Sequence, residues 1–165
     1  MRKVKPFLLV FLTTIFVMSS CERDEICIDP ITPKLIIAFY DFEDDESSKS
    51  VNNLAIEIIN VDITNKSLDT VGTDSIGIPL NIYALQTTIV LTSDSKNSDL
   101  INQDTIQVNY ETENIFVGRS CGYKSIFKNV SINRDFNDSE RWIKSLVVEQ
   151  SEIENETKAH VTILH

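Results

Sequence analysis

From Leu35 onward, apolar residues recur at every second position far more often than at helical spacing, which leaves β-strands as the main structure open to the chain. Leu35, Ile37 and Phe39 alternate with Ile36, Ala38 and Tyr40. That segment is expected to be a strand buried on both sides, with Pro33 at its start, where a missing N–H is tolerated. Leu54, Ile56 and Ile58 keep one phase, and Ile59, Val61 and Ile63 keep the other. A one-residue slip exchanges faces, so a β-bulge near Ile58 and Ile59, or a strand crossing between sheets, is expected there. Further strands are expected over Ile76–Ile82, with Pro79 inside, and over Thr87–Leu91, Thr105–Tyr110, Ile115–Val117, Tyr123–Ile132, Trp142–Val148 and His160–Leu164. Polar turns such as 93–99 and 133–138 separate them, and with four glycines in the chain, Asn, Asp and Ser must supply most turn conformations. The expectation is an all-β chain of about eight to nine short strands. They would form one antiparallel β-sandwich, immunoglobulin-like or related, over residues 33–165.

The N-terminus is a different object. Arg2, Lys3 and Lys5 precede an apolar run from Phe7 to Met18, closed by Ser19 and Ser20 before Cys21. Residues 1–20 therefore read as a secretory signal peptide. Its apolar run would rise about 18 Å as a helix, against a hydrocarbon core of roughly 30 Å, too short for a permanent span. The setting of Cys21 resembles a bacterial lipobox, with Met18 where the pattern favours Leu. This implies acylation of Cys21, each buried acyl CH₂ contributing about 0.8 kcal/mol to membrane attachment. Residues 21–32 would form a short tether.

Two cysteines remain, Cys27 and Cys121, in a compartment that permits disulfides. A pair is the simplest arithmetic, and two separate thiols are the alternative. A bridge would close a loop of roughly 94 residues, with a loop-entropy contribution of about 4.6 kcal/mol as an upper figure. It would also shorten the leash: Glu22, Arg23, Asp24, Glu25 and Ile26 alone separate Cys21 from Cys27, a reach of about 20 Å.

The whole chain has 25 acidic and 15 basic residues, a net charge of −10. Loss of the signal peptide removes three basic residues and no acidic one, leaving 12 against 25, or −13. Such a surface repels phosphate backbones, so nucleic acid is a poor partner, and the folded body is expected to stand off anionic headgroups. Catalytic constellations are sparse. There is no Gly-x-Ser-x-Gly, and the two histidines, His160 and His165, fall on opposite faces of a regular strand, so they cannot share a metal or a site. Neither a metal nor a cofactor is expected. The carboxylate groups Asp41, Glu43, Asp44, Asp45, Glu46 and Glu152, Glu154, Glu156 lack the spacing of a calcium loop and read as solvated acidic turns. Trp142, Tyr40, Tyr83, Tyr110 and Tyr123 could stack on sugars or peptides if two or more share an exposed face, although a lone Trp in a sandwich is more often core.

Four segments carry a resemblance: Cys21–Cys27, Thr32–Asp41, Cys121–Phe127 and Glu154–Val161. Together they resemble an uncharacterised family of Bacteroidetes lipoproteins over essentially the whole mature chain. The resemblance implies the lipid anchor, the pairing of Cys27 with Cys121 and an envelope with an outer membrane, without an activity. Glu22, Asp24 and Glu25 are similar to a surface-export signal interrupted by Arg23, so the periplasmic and surface faces both stay open. Asp69-Thr70-Val71, Asp74-Ser75-Ile76 and Asp104-Thr105-Ile106 look like O-glycosylation signals, which makes Thr70, Ser75 and Thr105 candidates, the first two in an expected loop. Asn65, Asn129, Asn137 and Asn155, in sequon-like triplets, read as turn residues. The reading is a lipid-anchored outer-membrane protein acting without catalysis as an interaction module for an envelope protein. The alternative is a surface glycan- or calcium-binding lipoprotein.

Overall fold

The computed structural model describes Cys27 and residues 32–60, 63–70, 72–134 and 140–165. The expected signal peptide, Cys21 and most of the tether lie outside these residues, as do Asn137 and Val71. The described residues contain nine strands and no helix. These are β1 (Leu35–Tyr40), β2 (Ala55–Asn60), β3 (Ile63–Asp69), β4 (Ser75–Ile78), β5 (Gln86–Ser93), β6 (Asn102–Gly118), β7 (Gly122–Arg134), β8 (Ser145–Val148) and β9 (Val161–Leu164). A four-stranded sheet runs β4-β1-β9-β8 and a five-stranded sheet runs β3-β2-β5-β6-β7.

Alternation decides which residues meet. Leu35, Ile37 and Phe39 of β1 are fully buried and join Ile56 and Ile58 of β2, Ile89 and Leu91 of β5, Ile106 and Val108 of β6, and Val161 and Ile163 of β9 in one cluster shared by both sheets. Each such side chain contributes about 1.5–3 kcal/mol by leaving water. On the other face of β1, Ala38 is buried while Ile36 and Tyr40 are half-buried, so that strand is covered on both sides, less completely on the outer one.

Five expectations need correction. Pairing is not antiparallel throughout: β1 and β9 run parallel, with Ile37 opposite Val161 and Tyr40 opposite Leu164. Parallel neighbours need a long crossover, and here all the intervening strands serve as one. The phase change after Ile58 does coincide with a register irregularity between Ile58 and Asn60. Ile63, however, opens a separate antiparallel strand, β3, at the sheet edge, with Asn60 opposite Ile63, so Ile59 and Ile63 do not continue one strand, and Val61 lies outside the described residues. Finally, the segments expected separately at Thr105–Tyr110 and Ile115–Val117 are one 17-residue strand, β6, paired with the 13-residue β7. Ile76–Ile82 shortens to β4, which stops before Pro79, and Trp142 precedes β8 instead of starting it.

Candidate functional site

β5 pairs with β6 from Ser93 opposite Asn102 to Gln86 opposite Asn109. The Tyr110 N–H still reaches Leu85 O at 3.0 Å, but past Tyr110 the remainder of β6 has β7 as its sheet partner. Residues 111–128 thus make a two-stranded ribbon overhanging the sheet. A bulge marks its root: Asn109 faces Ser131 and Glu111 faces Lys128, so Tyr110 stands against both Asn129 and Val130. Asn129 has φ 53°, a left-handed conformation that Asn tolerates and that bends a ribbon. Asn129 therefore takes a turn-like conformation inside a strand. Asn155 makes an ordinary Asx turn, accepting from Thr157 N–H at 3.1 Å.

Tyr110 anchors the root. Its hydroxyl donates to Asn81 O at 2.8 Å, accepts from Asn81 N–H at 3.1 Å and meets Thr87 Oγ1 at 2.6 Å. Its ring meets Phe127 edge-on at 5.0 Å. Burial pushes its phenol above the usual range, so it stays a neutral donor. Backbone pairs between Phe127 and Ile153, and from Val130 N–H to Ser151 O, cover the outer edge of β7 at this level.

Toward its tip the ribbon has a different clasp. Cys121, in the turn between β6 and β7, is disulfide-bonded to Cys27, with Cα atoms 5.0 Å apart. Gly122 completes the turn at φ +68°, where a side chain would be strained. The register sets Phe116 opposite Tyr123, and their rings meet at 5.4 Å. Phe116 is 61% exposed, Tyr123 65% and neighbouring Val117 37%. From Asn114 to Arg134 there is no acidic residue, whereas Arg119, Lys124, Lys128 and Arg134 are basic. Lys128 pairs with Glu113 at 2.6 Å, an exposed contact that pushes the ammonium up, and Lys124 Nζ donates to Glu154 O at 3.0 Å. Arg119 is exposed in the turn itself.

The other candidate residues scatter. Trp142 is buried in the core, its indole N–H donating to Leu91 O at 3.2 Å. Tyr83 is exposed, and Tyr40 lines an open groove of about 700 Å³ with Asp45, Glu46, Glu149 and Lys158. Asp41 accepts from Glu43 N–H at 2.9 Å and pairs with Lys49 at 3.2 Å, and these contacts hold its carboxyl below the usual range. Among the described residues no three His, Cys, Asp or Glu side chains are grouped to hold a metal. His160 is buried, accepting from Ile36 N–H at Nδ1 (2.9 Å), and burial pushes its pKa down. His165, at the far end of β9, sits edge-on to Phe39 and Trp142 and is pushed down by the same cause. Thr70 is half-buried just after β3, its hydroxyl on Leu54 O at 3.3 Å. Ser75 is exposed at the start of β4, and Thr105 lies within β6 opposite Val90, beside the buried Asp104.

Sequence reasoning singled out Tyr123 but passed over Phe116. The available signal was the acid-free stretch from Asn114 to Arg134 in so acidic a chain. In comparisons with known proteins, a family model described as a family of unknown function, DUF6452, matches residues 54–165. No curated protein and no solved structure matches.

Proposed function

The chain belongs to the DUF6452 family, and from that premise we propose that it is a lipid-anchored envelope protein, acylated at Cys21, that works without catalysis as a membrane-proximal interaction module. The observation that carries this reading is the Cys27–Cys121 bridge. It ties a projecting, aromatic-tipped ribbon to a residue six positions from the cysteine of the lipobox-like sequence, so anchor and domain act as one short-tethered body. Two sheets over a shared core support a β-sandwich. With β1 and β2 in different sheets, the strand order fits a relative of the immunoglobulin arrangement better than that arrangement itself. The outer membrane of a Bacteroidetes-type envelope is the proposed location, with an envelope protein as partner.

The test compares wild type with Cys21→Ala in membrane fractions and by protease digestion of intact and lysed cells. Acyl chains on the Cys21 peptide and release of Cys21→Ala from the membrane are expected. A variant that stays membrane-bound would sink the anchor reading, and digestion of intact cells would assign the surface face. A second reading, a glycan- or calcium-binding lipoprotein, is favoured by the groove beside Tyr40, Asp45 and Glu46. It requires a melting temperature that rises with calcium or oligosaccharide. Of the modification candidates, Ser75 is the most open, and a glycan mass on its peptide is the check.

A further inference from the structure

We infer that the tip of the β6–β7 ribbon is a second membrane contact, with Phe116, Val117 and Tyr123 seated among the headgroups of the bilayer that holds the lipid. This deepens the anchor reading and rests on acylation of Cys21. Three observations converge on a bilayer as the occupant. The first is reach. Six residue steps separate Cys21 from Cys27, about 20 Å when extended, and Cys27 is bonded to the tip itself, so the lipid cannot leave the tip's neighbourhood.

The second is side-chain chemistry. The tip presents two aromatic rings in mutual contact, one of them a phenol, and a valine, all exposed, the composition that settles at a membrane interface. The third is charge. In a mature chain of −13, the segment from Asn114 to Arg134 holds four of the 12 basic residues and none of the 25 acidic ones. Arg119, in the turn, and Lys124 flank the aromatic pair. The acidic run Glu152–Glu156 lies along the ribbon behind the tip, with Ile153 bridged to Phe127 and Glu154 O accepting from Lys124 Nζ at 3.0 Å, which leaves Arg119, in the turn, as the main cation of the tip. The acidic body is therefore repelled by anionic headgroups while the tip is attracted, and both forces turn the same end toward the membrane.

The test uses the acylated chain, purified from membranes and reconstituted into vesicles of phosphatidylethanolamine and phosphatidylglycerol, with and without lipids brominated near the headgroup. A Phe116→Trp variant adds a reporter at an exposed position. Trp142 supplies a buried baseline, hydrogen-bonded to Leu91 near the opposite end of the sheets. The emission that Phe116→Trp adds over wild type is expected to shift to the blue and lose most of its intensity to brominated lipid. Arg119→Glu in the same background is expected to restore much of it. Mass measurement of the Cys21 peptide separates the two readings. An acylated, vesicle-bound protein whose added emission is unquenched overturns the tip contact and leaves the anchor standing. An unacylated protein overturns the anchor, and with it the tip if quenching is also absent. A photocrosslinker in place of Tyr123 that joins a protein, or a second copy of the chain, in preference to lipid in whole cells also overturns the tip contact.

Discussion

Replacing both members of the bridge, Cys27→Ser with Cys121→Ser, separates a staple on the whole fold from a clasp on one ribbon. The residues lie 94 positions apart, so the loop-entropy contribution is about 4.6 kcal/mol as an upper figure. A domain of about 130 residues unfolds with an entropy near 0.27 kcal/mol per kelvin, which converts that loss to a fall in Tm of about 17 °C. The loss should not be spread evenly. Among the described residues, β6 beyond Tyr110 pairs with β7 alone and β7 beyond Phe127 has no further strand beside it, and two-stranded ribbons are at best marginally stable alone. Amides of 112–118 and 122–126 should then exchange by local opening well before those of β2 and β5. The assays are thermal unfolding followed by circular dichroism and peptide-resolved hydrogen exchange, each on oxidised wild type and the double variant. A fall in Tm under about 3 °C, with ribbon amides as protected as β5, would refute the reasoning.

Acid should weaken the fold from about pH 6.5 downward. Burial keeps His160 and His165 neutral in the native state, whereas the unfolded chain takes up their protons near pH 6.5. Stability is therefore complete above that value and is lost as pH falls toward the lowered native pKa values. Urea midpoints at about pH 7.5 and 5.5 check this, and an equal or higher midpoint in acid contradicts it. Asp104, buried, accepts from Ile143 N–H at 2.8 Å, so Asp104→Ala should cost about 1–3 kcal/mol in denaturant titration and Asp104→Asn noticeably less. Gly122→Val forces a β-branched residue to φ +68°, with an expected loss of about 1–2 kcal/mol confined to ribbon amides in hydrogen exchange. Glu113→Gln breaks the exposed pair with Lys128 and should leave the urea midpoint essentially unchanged.

The core was legible because alternation is a local signal. Leu35, Ile37 and Phe39, or Ile89 and Leu91, declare a buried face without reference to any partner strand. Partner identity is not local, and nothing in Leu35–Tyr40 says that its neighbour is the C-terminal strand running parallel to it. The ribbon was hidden for a related reason. Glu111 and Glu113 are exposed and Thr112 is half-buried, while the buried side chains at this level, Ile126 and Phe127, come from β7, so no apolar period links Tyr110 to Ile115 within β6. β3 is an edge strand and needs no buried alternation to pair with β2. For the site, Tyr123 could be seen as an aromatic, but its partnership with Phe116 depends on a register that follows from the turn at Cys121.

That register also separates the two ends of the molecule. β6, at 17 residues, spans about 55 Å from the ribbon tip to Asn102. Around Asn102 lie the turn carrying the exposed Leu100 and Ile101, the start of β8 and the C-terminal end of β9. A lipid at the end of a flexible leash permits a domain to swivel, and every face then visits the membrane and the solvent in turn. On the proposed anchoring, a clasped ribbon bearing aromatic and basic side chains at the lipid end would remove most of that freedom, because repulsion of the acidic body raises the energy of the other orientations. On that anchoring the far end, where Leu100 and Ile101 are exposed, is held outward. Division of labour between the ends makes opposite demands on substitutions. Changes at Phe116 or Tyr123 should alter stance on the bilayer without altering capture of a partner by the detached domain, and changes at Leu100 or Ile101 should do the reverse. A variant at either end that impaired both functions equally while leaving the fold intact would dissolve the distinction.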